Sequence, residues 1–343
     1  MTAPLLVLQS FRRPRATTNP YLVQLVSSLP PAVSTCFFSW QQALIGRYAV
    51  LHVHWPEHLL RAGGRLRRSV RRVLFAVLLA RLSLSRTVVV RTVHNVAPHE
   101  KLTRVDALLL AALEARTDWW VRLNASTVTP CPQRTSTVLH GHYRDVLPAR
   151  AGSPAVPGRL LFFGLIRPYK GVETLVEAFH QIQESQLSLH AVGRVEPHPD
   201  AAELLSCLAT ASERDERVVL RLNHVPDDEL ATEIEESTLV VLPYRAMHNS
   251  GACLLALSLG RPVLVPRGPV TEALADEVGA EWVLLFDGIL TAEVLGSALL
   301  SASSPRDAAP DLRARNWAPA GQAHHKAYVT ACAERTARRP WRH

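Results

Sequence analysis

The chain predicts an α/β protein built from two doubly wound domains with parallel sheets. Three observations lead there. Short apolar runs, of which Leu160-Leu161-Phe162-Phe163 is the clearest, alternate with amphipathic runs such as 172–179, and that alternation marks strand–helix–strand units. At 343 residues the chain has room for two domains of ordinary size. Residues 147–158 are rich in Pro and Gly and lack periodicity, so they read as a linker. The expected division is an N-terminal domain over 1–150, a second domain over 158–316 and a helix or tail over 317–343.

The elements follow in order. Strands are expected at 5–8, 50–54, 87–93, 119–122 and 137–139, with helices near 20–29 and 102–115. In the second half strands are expected at 160–163, 187–192, 218–222, 239–242, 263–265 and 282–286. Hydrophobic residues make up 48% and charged residues 20%, a balance that excludes both a disordered chain and a polytopic membrane protein. Cys36, Cys131, Cys207, Cys253 and Cys332 are scattered without paired spacing, so no disulfide or metal framework is expected and a reducing cytoplasm fits. The N-terminus has no cationic stretch before its apolar run and reads as a first strand rather than a signal peptide.

The net charge is +8. Much of it sits in residues 61–86, cationic at the start and apolar afterwards. The uncharged core at 73–80 falls far short of the ~20 residues that span a bilayer. The segment reads as an amphipathic helix on an anionic membrane surface or as a domain helix with a basic outer face, and the two are compatible. Nucleic acid is not an expected partner, because no helix-turn-helix, zinc finger or aromatic RNA platform is present.

Gly164-Leu-Ile-Arg167-Pro-Tyr-Lys170-Gly171 joins an apolar strand to an amphipathic helix. Two cations beside a helix start, where backbone N–H groups lack partners, suit a diphosphate. Farther on, a strand at 238–242 leads into His248-Asn249-Ser250-Gly251, a buried helix over 252–259, Gly260 as its C-cap and Pro262 as the breaker. Together the two motifs resemble the C-terminal half of GT-B nucleotide-sugar glycosyltransferases, well over 158–285 and more loosely before it. The resemblance implies two Rossmann-like domains with a cleft between them and a C-terminal helix crossing back. It implies that Arg167, Lys170, Ser250 and Gly251 meet the donor diphosphate, and that the loop at Asn223, His224 and Val225 reads the nucleoside. It also implies donor binding without an Asp-x-Asp metal motif, so neither metal nor cofactor is expected.

In the first half three loops follow predicted strands: 54–58, 94–100 and 140–143, each holding histidines. Parallel strands would open all three on one edge. Transfer with inversion needs a base for the acceptor hydroxyl, and Glu57, His94 and Glu100 are the candidates. Glu57 leads, because a carboxylate after an aromatic–Pro turn is expected to lose solvent and become more basic. His94 matches a position where related enzymes hold a histidine near the donor sugar. Many retaining relatives carry two glutamates across the second motif, and alignment on Gly260-Arg261-Pro262 puts Met247 and Leu255 there. The form of that motif resembles a bacterial exopolysaccharide branch that includes inverting mannosyltransferases using GDP-mannose and lipid-linked acceptors. The expected function is therefore hexose transfer, with GDP-mannose as the implied donor and UDP-glucose among the others, to a glycolipid or polysaccharide at the cytoplasmic membrane face. A retaining transferase acting on a soluble acceptor, a GT-B-like binding protein without activity and a sugar-nucleotide epimerase are the alternatives.

Overall fold

The computed structural model describes residues 3–15, 17–94, 102–147, 154–196, 198–245, 247–249, 251–306 and 308–338. The chain forms two compact units, Met1–Gly141 with Arg315–His343, and His142–Ala314.

The strands described in the first unit are β1 Leu5–Gln9, β2 Val33–Phe37, β3 Val50–Val53, β4 Val88–Val93, β5 Trp119–Arg122 and β6 Thr135–Thr137. They pair in parallel in the order β2-β1-β3-β4-β5-β6. The helices between them are α1 Pro20–Ser28, α2 Trp40–Ile45, α3 Glu57–Leu60, α4 Arg65–Leu84 and α5 Arg104–Arg116. β3 and the start of β4 are buried along their length, as strands of a parallel sheet covered on both faces must be. Three expectations need correction. β2 was not foreseen, the strand expected at 137–139 lies two residues earlier as β6, and the loop expected at 54–58 ends in α3, because Pro56 starts a helical turn there.

The second unit carries β7 Arg159–Phe163, β8 Ser188–Val192, β9 Val218–Arg221, β10 Leu239–Val241, β11 Val263–Pro266 and β12 Val283–Phe286. They too pair in parallel, in the order β12-β11-β10-β7-β8-β9. Its helices are α6 Val172–His180, α7 Ala201–Arg214, α8 Asp227–Glu236, α9 Gly251–Ser258, α10 Pro269–Val278 and α11 Ala292–Ser303.

The last helix, α12 Trp317–Arg338, belongs to the first unit and packs on α1, β4 and β5. It buries Trp317, Ala320, Gly321, His324, Ala327, Tyr328 and Ala331, one helical face. Small residues let it close on α1: a Cβ on Gly321 would stand 1.9 Å from the Ser28 carbonyl oxygen.

α4 carries the basic segment, and one of its two compatible readings is visible in the packing. It is a domain helix, burying Phe75, Leu78 and Leu82 and packing on α2, α3 and α5. Its other side exposes Leu66, Val70, Val73, Val77 and Leu84, residues whose spacing lines them up along one stripe. Among the described residues no helix is long and apolar enough to cross a membrane.

Candidate active site

In the second unit the chain leaves β7, adds β8 and β9 on one side, then returns to add β10 on the other. The carboxyl ends of β7 and β10 therefore flank a topological switch point, where open α/β sheets bind ligands. Both motifs lie at that point. After β7 comes a short 3-10 turn, Pro168–Lys170, then Gly171 and α6. Gly171 is left-handed, with φ of 65°, and a Cβ there would stand 2.4 Å from the Pro243 carbonyl oxygen. Only glycine fits both demands, and the close approach locks the first motif to the second. Arg245 adds to the lock, donating its N–H to the Tyr169 carbonyl at 2.9 Å and pairing with Glu173 at 2.7 Å.

The two cations are held from different sides. Arg167 pairs with Glu196 in the loop after β8. Lys170 donates from Nζ to the Tyr244 hydroxyl at 3.2 Å and lies 4.7 Å from the centre of that ring. Burial, helped by the Arg167 charge and opposed by Glu196, pushes the Lys170 ammonium down to about 8. Glu196 and Tyr244 were missed in the sequence; the available signal was their place in loops after strands neighbouring β7. Gly251 begins α9 against Tyr143. Asn223 and His224 are exposed between β9 and α8, while Val225 turns its side chain into the core.

In the first unit the switch point lies between β1 and β3. A cavity of ≈ 710 Å³ opens there, lined among others by Phe11, Phe38, Trp40, His54, Trp55 and Arg71. Trp55 has φ of 40°, a strained value for a bulky side chain. Its ring stacks on His94 at 3.8 Å between centroids and 19° between planes. His94 follows β4, and its Nε2 lies 3.0 Å from Nδ1 of His54, which follows β3. Tyr21 meets His94 edge-on at 5.1 Å and His140 at 4.8 Å. Burial holds His54 and His94 well below the ordinary imidazole range, and His140 at about 4, so these rings are neutral at pH 7. Histidines of the three loops thus come together. Glu57 does not join them. It opens α3 and lines a separate cavity of ≈ 470 Å³ with Arg61, Arg68 and Arg71.

Residues 157–294 match the family described as Glycosyl transferases group 1. Over 326 residues the chain is 46% identical to a GDP-mannose:glycolipid 4-beta-D-mannosyltransferase of Xanthomonas campestris pv. campestris, a match covering 95% of this chain and 92% of the relative. The chain belongs to the group 1 glycosyltransferases. Solved structures share the transferase's GT-B fold at low identity. The catalytic domain of starch synthase IV from Arabidopsis thaliana has a TM-score of 0.62 at 10% identity, covering 97% of this chain and 100% of that one. Sucrose-phosphate synthase from Thermosynechococcus elongatus has 0.57 at 16%, covering 96% and 97%.

In this glycosyltransferase Met247 and Leu255, the positions where the resemblance of the second motif would place the two glutamates of retaining enzymes, are apolar and pack against the core of the second unit. Of the residues expected at the site, Glu100 and Ser250 lie outside the described residues. Among the described residues no group of three or more His, Cys, Asp or Glu is placed to hold a metal ion.

Proposed function

We propose that the protein transfers mannose from GDP-mannose, with inversion, to a hydroxyl of a glycolipid at the cytoplasmic face of a membrane. The observation that carries this reading is the 46% identity, over 95% of the chain, to a relative so named. GDP-mannose carries an α-linked sugar, so a β product requires inversion. The acceptor oxygen forms a bond to the anomeric carbon, the bond from that carbon to the diphosphate breaks, and the acceptor proton passes to a base. Arg167 and Lys170 take up the charge growing on the leaving GDP. The N–H groups of Ser250 and Gly251 are assigned to the same diphosphate, and Asn223, His224 and Val225 to the nucleoside. His94 is the group we place at the reacting sugar, because it is neutral and held rigidly at a strand end. Glu57, among arginines in another cavity, is the alternative base, with Glu100 the third candidate. The reading uses no metal or cofactor, since the two cations supply the positive charge. The test is product analysis with purified protein, lipid extract and GDP-mannose, UDP-glucose or other sugar nucleotides. Expected is a mannosylated glycolipid from GDP-mannose alone; transfer only from a UDP-sugar would refute the donor assignment.

The membrane part of the proposal rests on α4. Leu66, Val73 and Leu84 are 79, 63 and 87% exposed, beside arginines at 65, 67, 68 and 71. An apolar stripe flanked by cations suits an anionic bilayer, with each arginine contributing about 1 kcal/mol near the surface. Co-sedimentation is expected with phosphatidylglycerol vesicles and not with phosphatidylcholine alone. Replacing Leu66, Val70, Val73 and Val77 by serine should weaken it well over tenfold, since the loss of a single buried apolar side chain, about 1.5 kcal/mol, is already about tenfold, while the thermal unfolding of the protein stays close to that of the parent. Equal sedimentation of parent and variant would remove α4 from the membrane contact.

A further inference from the structure

Two of the arginines at the start of α4 face inward. The helix buries Phe75, Leu78 and Leu82, a row whose alternating steps of three and four residues follow one helical face. The same steps taken backwards from Phe75 arrive at Arg71 and Arg68. This pair lies opposite the exposed stripe of Leu66, Val70, Val73 and Val77, whereas Arg65 and Arg67 stand on either side of that stripe. At Arg71 and Arg68 the row has run past the core and into a cavity. Both line the space of ≈ 470 Å³ that also holds Arg61, Glu57 and Asp106. The Asp106 carboxylate is taken by Arg72, whose Nε and Nη2 reach its two oxygens at 2.8 and 2.9 Å and tie α4 to α5. Among the described residues of the wall, that leaves three arginines against the carboxylate of Glu57. Of the five N–H donors of Arg71, the Arg61 carbonyl takes one.

Arg71 also lines the larger cavity of ≈ 710 Å³ at the switch point, so the two cavities adjoin. The larger one is walled by Phe11, Phe38, Trp40 and Trp55 and reaches His54, beside His94. An aromatic cavity with a few polar groups suits the body of a small ligand. Arginines next to it suit an anionic group carried by the same ligand. The two inward guanidinium groups stand about 4.5 Å apart along the helix axis. A carboxylate is satisfied by one such fork, while the oxygens of a phosphate or diphosphate can engage two.

We propose that Arg68 and Arg71 bind the phosphate of a phosphate-linked lipid acceptor, whose sugar lies in the adjoining aromatic cavity. The assignment rests on the reading of the acceptor as a glycolipid and adds the chemical class of its lipid carrier. Isothermal titration of the full-length protein with decyl diphosphate, below its micelle concentration, tests it. GDP at saturation keeps the probe out of the donor site. Expected is a single site, weakened about tenfold or more in Arg68→Gln/Arg71→Gln. Arg65→Gln/Arg67→Gln removes the same charge from the outer side of the helix and should bind the probe nearly as the parent does. Equal weakening by both pairs would reduce the effect to diffuse attraction and overturn the proposal, as would a parent that does not bind the probe. Inorganic pyrophosphate binding as tightly as decyl diphosphate would assign the site to a free anion instead of a lipid. With phosphatidylglycerol vesicles the outer pair should be the more damaging one; the reverse order would assign Arg68 and Arg71 to bilayer headgroups. Kinetics separate the site from the reading it rests on. In Arg68→Gln/Arg71→Gln the KM for a glycolipid acceptor should rise about tenfold or more with donor KM little changed. Transfer to a glycolipid with unchanged acceptor KM would keep that reading and overturn the site. Probe binding that depends on this pair, in a protein that glycosylates no phosphate-bearing lipid, would keep the anion site and refute the glycolipid reading.

Discussion

Arg167→Ala is expected to lower the rate of sugar transfer by about 10²–10³-fold, the usual effect of removing one donor from developing negative charge in a dry site. The geometry adds a second consequence. Arg167 is paired with Glu196, so the alanine variant leaves a carboxylate next to the diphosphate position without its partner. Donor affinity should fall along with kcat. The double variant Arg167→Ala/Glu196→Gln should bind donor more tightly than Arg167→Ala alone, because the stranded charge is gone while the missing cation is not restored. Lys170 adds a pH dependence. Its ammonium is pushed down to about 8 in the free protein, so the cation is present below that value and lost as pH rises through it. kcat/KM for the donor, which reports the free enzyme, should decline above about pH 8, and Lys170→Arg should move the decline upward. Initial rates from pH 6.5 to 9.5 measure both effects. An Arg167→Ala enzyme as active as its parent would remove the first motif from the donor site.

The parts of this site legible in the sequence are those where neighbours along the chain make the structure. The run from Leu160 through Lys170 to Phe179 is strand, turn and helix in one stretch, and its cations stand in the turn whatever the rest of the chain does. The start of α8 is equally local, with Pro226 followed by acidic residues in the first turn. β2 was hidden because only its first residue is fully buried and it pairs with β1 alone at the sheet edge. Its Val-Ser-Thr-Cys-Phe sequence therefore never needed an apolar run. α12 was hidden to a hydrophobic pattern because most of its buried face is Ala, Gly and His; the helix entered only through the family resemblance. Glu57 shows the opposite case. Its position after a strand and a proline was read correctly, but the chain turned into α3 and carried the carboxylate to the arginines. The histidine cluster was half visible. His54 and His94 follow strands, as expected, whereas His52 lies within β3 against His54, and its partner Tyr328 arrives from the far end of the chain. No spacing rule reports a contact of that range.

Those buried histidines should make the first unit acid-labile well before its carboxylates titrate. Burial holds His140 and His324 at about 4, against about 6.5 for an exposed imidazole. A histidine whose folded pKa lies below its unfolded value favours the unfolded chain as pH falls, because that chain takes up the proton first. The stability is therefore complete above about 6.5, drains away between 6.5 and 4, and levels off below. From pH 7.5 to 5 each of the two should remove about 2 kcal/mol, together about 4 kcal/mol, a large part of the margin of an ordinary domain. His52, His54 and His94, shifted in the same direction, add to the loss. Tryptophan fluorescence suits the measurement, since Trp40, Trp55, Trp119, Trp120 and Trp317 all lie in this unit. Urea midpoints for this transition should fall steadily from pH 7 to 5. In His140→Gln/His324→Gln the fall should be shallower by about 4 kcal/mol over the same span, whatever the double variant loses at neutral pH. An unchanged slope in that variant would assign the acid sensitivity to other groups and would mean that the two buried rings titrate in the folded protein much as they do in water.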